Sequence, residues 1–366
     1  MPDELPPPAA QEAEDTIEKQ QVVTSVPRDE MGDVHELAIE LMDAVSKLPD
    51  GDVVNEMLAT SLKLLRDRNT RADLKLINTS MKELRYALKV FEPYKETRKI
   101  SIFGSARTPE THLDYLAAVD FGKRIVERGW MVITGAGGGI MAAGHGGAGA
   151  KPSFGLAIRL PFEQKTNEFI AEDPKLINFK YFFTRKLMFV RSSHAIAVFP
   201  GGFGTMDEGF EVLTLIQTGK APPLPIVFVD HDGSSFWRDW ETYVHKQLLG
   251  SRLISEEDLH LYKITQSVDE AMDEVTNFYR VFHSTRYVRD TLVVRLNAKP
   301  SAKQIEELNR RYSGILVKGQ IELTEPLPQE KDEPSLQHLP RIKMNFNRRE
   351  HGIFRTMINY LNAEVS

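Results

Sequence analysis

Between residues 99 and 282, short apolar runs alternate with segments whose apolar residues recur every three or four positions, the signature of strands and amphipathic helices in turn. The runs predict strands at Lys99–Phe103, Trp130–Thr134, Ser153–Leu160, Ile177–Phe183, Ala195–Phe199 and Pro225–Val229, with Leu261–Thr265 a weaker seventh. Helices are predicted between and after them at Asp114–Glu127, Ile140–Ala150, Arg185–Ser193, Thr205–Thr218, Phe236–Leu249 and Val268–Phe282. Strands that are apolar throughout and separated by helices belong to a mostly parallel sheet covered on both faces. The expectation is a doubly wound, Rossmann-like α/β domain over 98–282, with its ligand crevice at the carboxyl ends of the strands.

The flanks read differently. Residues 31–97 carry helical spacing, as in Leu37, Leu41, Met42 and Val45 and again in Leu62, Leu65, Leu74 and Ile77, broken by the turn Pro49-Asp50-Gly51-Asp52. Residues 1–30, with Pro2, Pro6, Pro7 and Pro8 among scattered carboxylates, are expected to be a disordered tail. Residues 283–366 read as a small α+β appendage, with strand-like Thr291–Leu296 and Gly314–Leu323 around a helical Ser301–Arg311. Near its end Arg341, Lys343, Arg348, Arg349 and Arg355 cluster in sequence, as a solvated basic face or as a dimer contact or anionic-effector site.

Composition narrows the chemistry. With 46 basic and 52 acidic residues the formal charge is -6, so no general nucleic-acid footprint exists and any anion must be held locally. The absence of cysteine excludes disulfides, a thiolate nucleophile and cysteine-ligated metal. No basic-then-apolar leader and no run of about 18 apolar residues occurs, so a soluble cytoplasmic protein without a membrane partner is expected.

Three strand-to-helix junctions carry candidate chemistry. Phe199-Pro200-Gly201-Gly202-Phe203-Gly204-Thr205-Met206-Asp207-Glu208 has the glycines of a phosphate cradle, whose bare amides and helix N-terminus suit an anion, and a carboxylate one turn further on. Thr205-x-x-Glu208 also reads as a capping box. Thr134-Gly135-Ala136-Gly137-Gly138-Gly139-Ile140-Met141 is a second glycine turn. It lacks the acidic residue that a dinucleotide fingerprint requires, which favours a mononucleotide, although close helix–strand packing also explains such glycines. Phe183-Thr184-Arg185-Lys186 sets two cations at the predicted end of a strand, where they form either a solvated face or a fork and a point charge for phosphate and ribose.

Together with Ser101-Ile102-Phe103-Gly104-Ser105-Ala106-Arg107, these motifs resemble, over about Lys99–Phe282, the LONELY GUY (LOG) phosphoribohydrolases, also labelled lysine decarboxylase-like. The turn at 135–139 departs from the usual family spelling, with Ala142 where an acidic residue follows the methionine. The resemblance implies hydrolysis of the N-glycosidic bond of a purine nucleoside 5′-monophosphate, AMP or a cytokinin nucleotide, by a homodimer or larger assembly without cofactor or metal. It casts Arg185 and Glu208 as the catalytic pair and Ser105, Gly138, Gly139, Lys186, Gly201, Gly202, Gly204 and Thr205 as substrate-binding residues. A carboxylate at C1′ suits that chemistry, stabilising oxocarbenium character and orienting or deprotonating water, and Arg185 beside it is expected to depress its pKa. The rival reading is a non-catalytic nucleotide or molybdopterin-cofactor binding protein of the same fold. Nothing in the sequence marks a Schiff-base lysine with its partner for pyridoxal chemistry.

Overall fold

A computed structural model describes residues 33–67, 69–158 and 166–365. The tail expected over 1–30 lies outside these residues, as do Arg159 and Leu160 at the end of the predicted third strand.

The chain divides into two compact units, 1–79 and 80–366. In the first, helices α1 (Asp33–Val45) and α2 (Gly51–Arg66) are clipped together by Asn55 Nδ2, which donates to Met42 O at 2.9 Å and to Ser46 Oγ at 2.7 Å. Among the described residues of this unit only Gly51 and Ala59 are buried. Helix α3 (Arg71–Phe91) starts in the first unit and ends in the second, where Phe91 stacks on Phe154 at 4.4 Å.

The second unit holds a seven-stranded sheet in which every neighbouring pair runs parallel. Its strands are β1 (Lys99–Phe103), β2 (Met131–Thr134), β3 (Ser153–Ile158), β4 (Leu176–Phe179), β5 (Ala195–Val198), β6 (Ile226–Val229) and β7 (Lys263–Thr265), in the order β4-β3-β2-β1-β5-β6-β7. The helices are α4 (Leu113–Glu127), α5 (Ile140–Ala148), α6 (Phe182–Ser192), α7 (Phe203–Gln217), α8 (Phe236–Tyr243, prolonged by a π-turn, Val244–Leu249) and α9 (Val268–Phe278). Alternate strand residues feed two cores. Ile100, Ile102, Val132, Ala195, Ala197, Val227 and Val229 pack into one face, and Phe103, Ile133, Ile196, Val198, Ile226 and Phe228 into the other. That two-sided burial explains why the strands read as continuous apolar runs. The doubly wound Rossmann-like class holds. Its order reverses between β1 and β5, which form a topological switch point.

One strand boundary differs in a way that matters. The run Ile177–Phe183 was expected to be all strand, but β4 stops at Phe179 and α6 begins at Phe182, so Arg185 and Lys186 lie in the first turns of a helix. Phe182 and Phe183 are half-exposed aromatics on that helix, which an apolar run cannot distinguish from strand.

The C-terminal part is richer than its sequence pattern. β8 (Phe282–Val288), β9 (Thr291–Leu296), β10 (Leu316–Thr324) and β11 (Arg341–Phe346) form an antiparallel sheet in the order β10-β11-β9-β8, joined by α10 (Ala302–Tyr312) and α11 (His351–Glu364). Val294, Met344, Phe354 and Leu361 share one apolar cluster with Ile100 and Ala271, so the second sheet is fused to the first domain's core. The basic residues near the end do not form a patch. Arg341 is buried against Glu330, Arg355 against Glu274, Lys343 pairs with Glu322 and Arg348 with Asp290. These four cations are paired in different places, with Arg349 exposed, because sequence proximity on a strand, a turn and a helix is not proximity in space.

The centre of this sheet is ionic. Glu330, fully buried, accepts from Arg295 Nε at 2.9 Å and Nη2 at 2.7 Å and from Arg341 Nη1 at 2.8 Å. Removing the shared carboxylate strands two buried guanidinium groups. Urea unfolding of Glu330→Ala is therefore expected to show a loss of about 3–5 kcal/mol; a loss under about 1 kcal/mol would mean that Glu333 suffices for Arg295 and the carbonyls of Leu336, Gln337 and Leu339 for Arg341.

Candidate active site

The exits of β1 and β5 abut at the switch point. Phe199 N–H donates to Phe103 O at 2.8 Å and Ser105 N–H to Pro200 O at 3.1 Å, while Ile140 N–H donates to Ser105 O at 3.0 Å. Ser105 thus stitches both glycine turns together through its backbone. Above this seam lies a cavity of about 800 Å³. Of the residues proposed from sequence, Ser105, Arg185, Gly201, Gly202, Gly204, Thr205 and Glu208 line it.

The glycines of the cradle serve space rather than a left-handed backbone. None of Gly201, Gly202 and Gly204 has positive φ. A Cβ on Gly201 would fall 2.2 Å from Thr205 Oγ1 and 2.9 Å from Ser105 N, so this glycine permits the two loops to touch. At Gly202 and Gly204 a Cβ would meet nothing within 4 Å, which leaves open space over the loop. The capping box is not formed: α7 begins at Phe203, two residues before Thr205, with Gly202 as N-cap and no side-chain cap bond. The first intrahelical acceptor, Gly202 O, serves Thr205 and Met206, and the amides of Phe203 and Gly204 ahead of them have no intrahelical acceptor.

Gly138 and Gly139 are not among the lining residues, whereas Gly135 and Gly137 are. Gly139 has φ +58 and a Cβ there would lie 2.2 Å from Ser105 O, so it serves the close loop packing. The turn itself hangs on a buried histidine. His145, fully buried, meets Phe154 O through Nε2 at 3.0 Å, which requires a proton on that nitrogen. Nδ1 is then the acceptor for Asn167 Nδ2 at 3.2 Å, whose other proton goes to Gly137 O at 2.9 Å. Burial pushes the His145 pKa down and keeps the ring neutral, as this arrangement needs.

Arg185 and Glu208 meet loosely. Arg185 Nη2 stands 3.9 Å from Glu208 Oε1, an ion pair without a hydrogen bond. Arg185 Nε and Glu208 Oε2 are both buried and have no partner. The guanidinium lies over Phe182 at 5.1 Å and Phe189 at 5.7 Å, and a Cβ on Gly135 would come within 3.8 Å of its Nη1. The three motifs therefore converge. Lys186 does not join them: its ammonium is tied to Asp207 at 2.9 Å and Glu211 at 2.7 Å on α7, and it is not a lining residue.

The expected depression of the carboxylate's pKa does not occur. Burial pushes Glu208 up to about 7, and the opposing pull of Lys186 and Arg185 is too weak to reverse it. Residues that sequence reasoning did not assign also line the cavity: Arg107, Asn178, Phe182, Phe189 and Met206. Arg107 was visible as the end of the Gly-Ser-Ala-Arg motif, but Asn178, the exposed residue in a strand whose neighbours are buried, had no signal.

Residues 136–275 match the family model described as possible lysine decarboxylase. That match holds the second glycine turn, Arg185-Lys186 and the cradle with Glu208. No curated protein sequence matches the chain. Among solved structures, the molybdenum cofactor binding protein from the phototrophic bacterium Rippkaea orientalis is similar at 19% identity, over 49% of this chain and 96% of that one, with a TM-score of 0.36. The Moco carrier protein from Chlamydomonas reinhardtii is similar at 19% identity, over 49% and 96%, with a TM-score of 0.35. DNA processing protein A from Helicobacter pylori is similar at 11% identity, over 48% and 79%, with a TM-score of 0.35. Likeness of this depth speaks to neither substrate nor activity.

The buried carboxylate has a thermodynamic consequence. Between pH 4.5 and about 7 the folded state binds a proton that the unfolded state releases, so Glu208 lowers stability as pH rises through that window. At pH 8 its ionised form costs on the order of 3 kcal/mol. Glu208→Gln is therefore expected to unfold at higher urea than the wild type at pH 8, with the gap closing near pH 4.5. Equal midpoints at pH 8 would show that Glu208 is solvated in the folded state.

Proposed function

We propose that this protein hydrolyses the N-glycosidic bond of a purine nucleoside 5′-monophosphate, with AMP the first substrate to test. The observation that carries the reading is the pair of partnerless buried atoms, Glu208 Oε2 and Arg185 Nε, beside a glycine cradle in one cavity. Buried polar groups are almost always satisfied, so two orphans in one cavity fit a polar ligand placed between them. The phosphate fits at the Phe203 and Gly204 amides, where the N-terminus of α7 favours an anion. Arg107 lies on the same seam, and no carboxylate is recorded against it among the described residues, which makes it better suited than the engaged Lys186 to neutralise a phosphate.

The chemistry follows from the carboxylate. As C1′–N bond cleavage builds positive charge at C1′, ionised Glu208 stabilises it and takes a proton from the attacking water. The water oxygen bonds to C1′, the purine nitrogen leaves with the bonding pair, and a proton returns to the base. A group titrating near neutrality serves both directions of that proton transfer. Arg185 holds the ribose and the carboxylate in register. Pyridoxal chemistry has no footing, since no lysine lines the cavity among the described residues. A carrier of a nucleotide or molybdopterin would bind in the same cavity without turnover, and base release separates the two readings.

Wild-type protein is expected to release adenine from AMP, followed by ultraviolet absorbance, with kcat/KM rising with pH through about 7 as Glu208 ionises. Binding of AMP without adenine release would establish the carrier reading instead. Adenosine is expected to react at least about a hundredfold less efficiently, because losing two charge-assisted contacts of about 1.5–3 kcal/mol each removes energy that fixes ribose. Arg107→Ala is expected to raise KM for AMP about tenfold or more while leaving adenosine unaffected; equal damage to both substrates would take Arg107 out of the phosphate site.

A further inference from the structure

The helix that carries Arg185 is capped from far away in the chain. Tyr181, the N-cap residue of α6, offers it no side-chain bond. The carboxylate at this end is Glu83 on α3, which accepts from Lys180 N–H at 2.6 Å through Oε1 and from the Thr184 hydroxyl at 2.6 Å through Oε2. Thr184 is fully buried and directly precedes Arg185. The carboxylate thus ties the residue ahead of the N-cap to the third residue of the helix and, as an anion at this end, complements the helix dipole.

Arg185 depends on this end of the helix more than an ordinary arginine does. Its Nε has no partner, its link to Glu208 is 3.9 Å long, and the two rings it lies over, Phe182 and Phe189, belong to α6 itself. The guanidinium therefore goes where the first two turns of α6 go. Glu83 lies outside both the 136–275 family match and the 99–282 stretch with recognisable motifs. We propose that Glu83 is a positioning residue for Arg185, so that the carboxyl-terminal half of α3 sets the geometry of the Arg185–Glu208 pair. The proposal rests on the glycosidase reading for its effect on turnover, but its structural claim is a coupling between Glu83 and the Arg185–Glu208 pair.

The test uses the full chain with Glu83→Ala, Glu83→Gln and Thr184→Val. Displacing a catalytic group by about 1 Å costs up to a hundredfold, so Glu83→Ala is expected to lower kcat for AMP between about tenfold and a hundredfold, with a smaller change in KM. Gln restores most of the activity, since its amide oxygen accepts from Lys180 N–H and its NH2 donates to the Thr184 hydroxyl. Thr184→Val, which removes one of the two bonds, moves in the same direction by less and serves where the alanine variant fails to fold. The second readout is a carbon-13 NMR titration of the Glu208 carboxyl, which faces Lys186, Arg185, Glu211 and Asp207. Withdrawal of Arg185 raises its midpoint in Glu83→Ala, whereas a merely structural cap lowers the melting temperature and leaves the midpoint unmoved. A folded Glu83→Ala protein with wild-type kcat and an unmoved Glu208 midpoint overturns the proposal. If the wild type releases no base from AMP, the glycosidase reading falls, and the Glu208 midpoint alone decides the coupling.

Discussion

The site depends on two backbone hydrogen bonds, Phe199 N–H to Phe103 O and Ser105 N–H to Pro200 O, which hold the exits of β1 and β5 against each other. In a doubly wound sheet the chain departs in opposite directions from the two strands at the order reversal, and a crevice opens there without any side chain creating it. Here the crevice is tightened. Gly201 and Gly139 are the positions where a single Cβ would push the loops apart, at 2.2 Å from Thr205 Oγ1 and from Ser105 O. Their absence of side chain lets the loops close on each other, while Gly202 and Gly204 keep the cavity wall open. Four glycines in similar turns thus do two jobs, close packing and access.

Burying Glu208 opposes folding and suits the proposed chemistry for the same reason. A low-dielectric surrounding disfavours its charge, which raises its proton affinity to near neutrality and also strengthens its interaction with any cation that enters. Arg185 is close enough to moderate that penalty and too far to cancel it, at 3.9 Å with no hydrogen bond. A tight bidentate pair would have satisfied both side chains and left nothing for a ligand.

Sequence pattern made the parallel sheet legible, because strands buried on both faces are apolar at every position and glycines mark the ligand-side turns. It also made Arg185 and Glu208 legible, since both follow strand exits. What it hid has physical causes. The start of α6 was obscured by Phe182 and Phe183, aromatics that suit a strand but stand on a helix beside the cavity. β8 and β11 were obscured because they carry charged or polar residues: Arg286 of β8 pairs with Asp332 and Glu333, Arg341 of β11 is buried against Glu330, and such an ion network looks like surface in a hydropathy pattern. Arg107 had a motif but no evident role, and Asn178 and Glu83 act through pairings about a hundred residues distant or through a cavity that exists only in the fold.

The case of Lys186 shows what adjacency in a motif does and does not imply. Consecutive helical residues point about 100° apart, so adjacency in the motif does not by itself bring both Arg185 and Lys186 into the crevice. Arg185 takes it. Lys186 instead bridges to Asp207 and Glu211, which lie four residues apart on α7; of these Asp207 lines the cavity beside Glu208, while Glu211 and Lys186 itself do not. The lysine therefore links α6, which carries Arg185, to α7, which carries Glu208, without itself lining the cavity. With Glu83 holding the start of α6 by hydrogen bonds and Lys186 tying α6 to α7 by ion pairs, the separation of Arg185 from Glu208 is set by contacts other than their own. Held apart in this way, the two groups stay unpaired enough to receive a ligand, which neither could do if their mutual attraction alone set the distance.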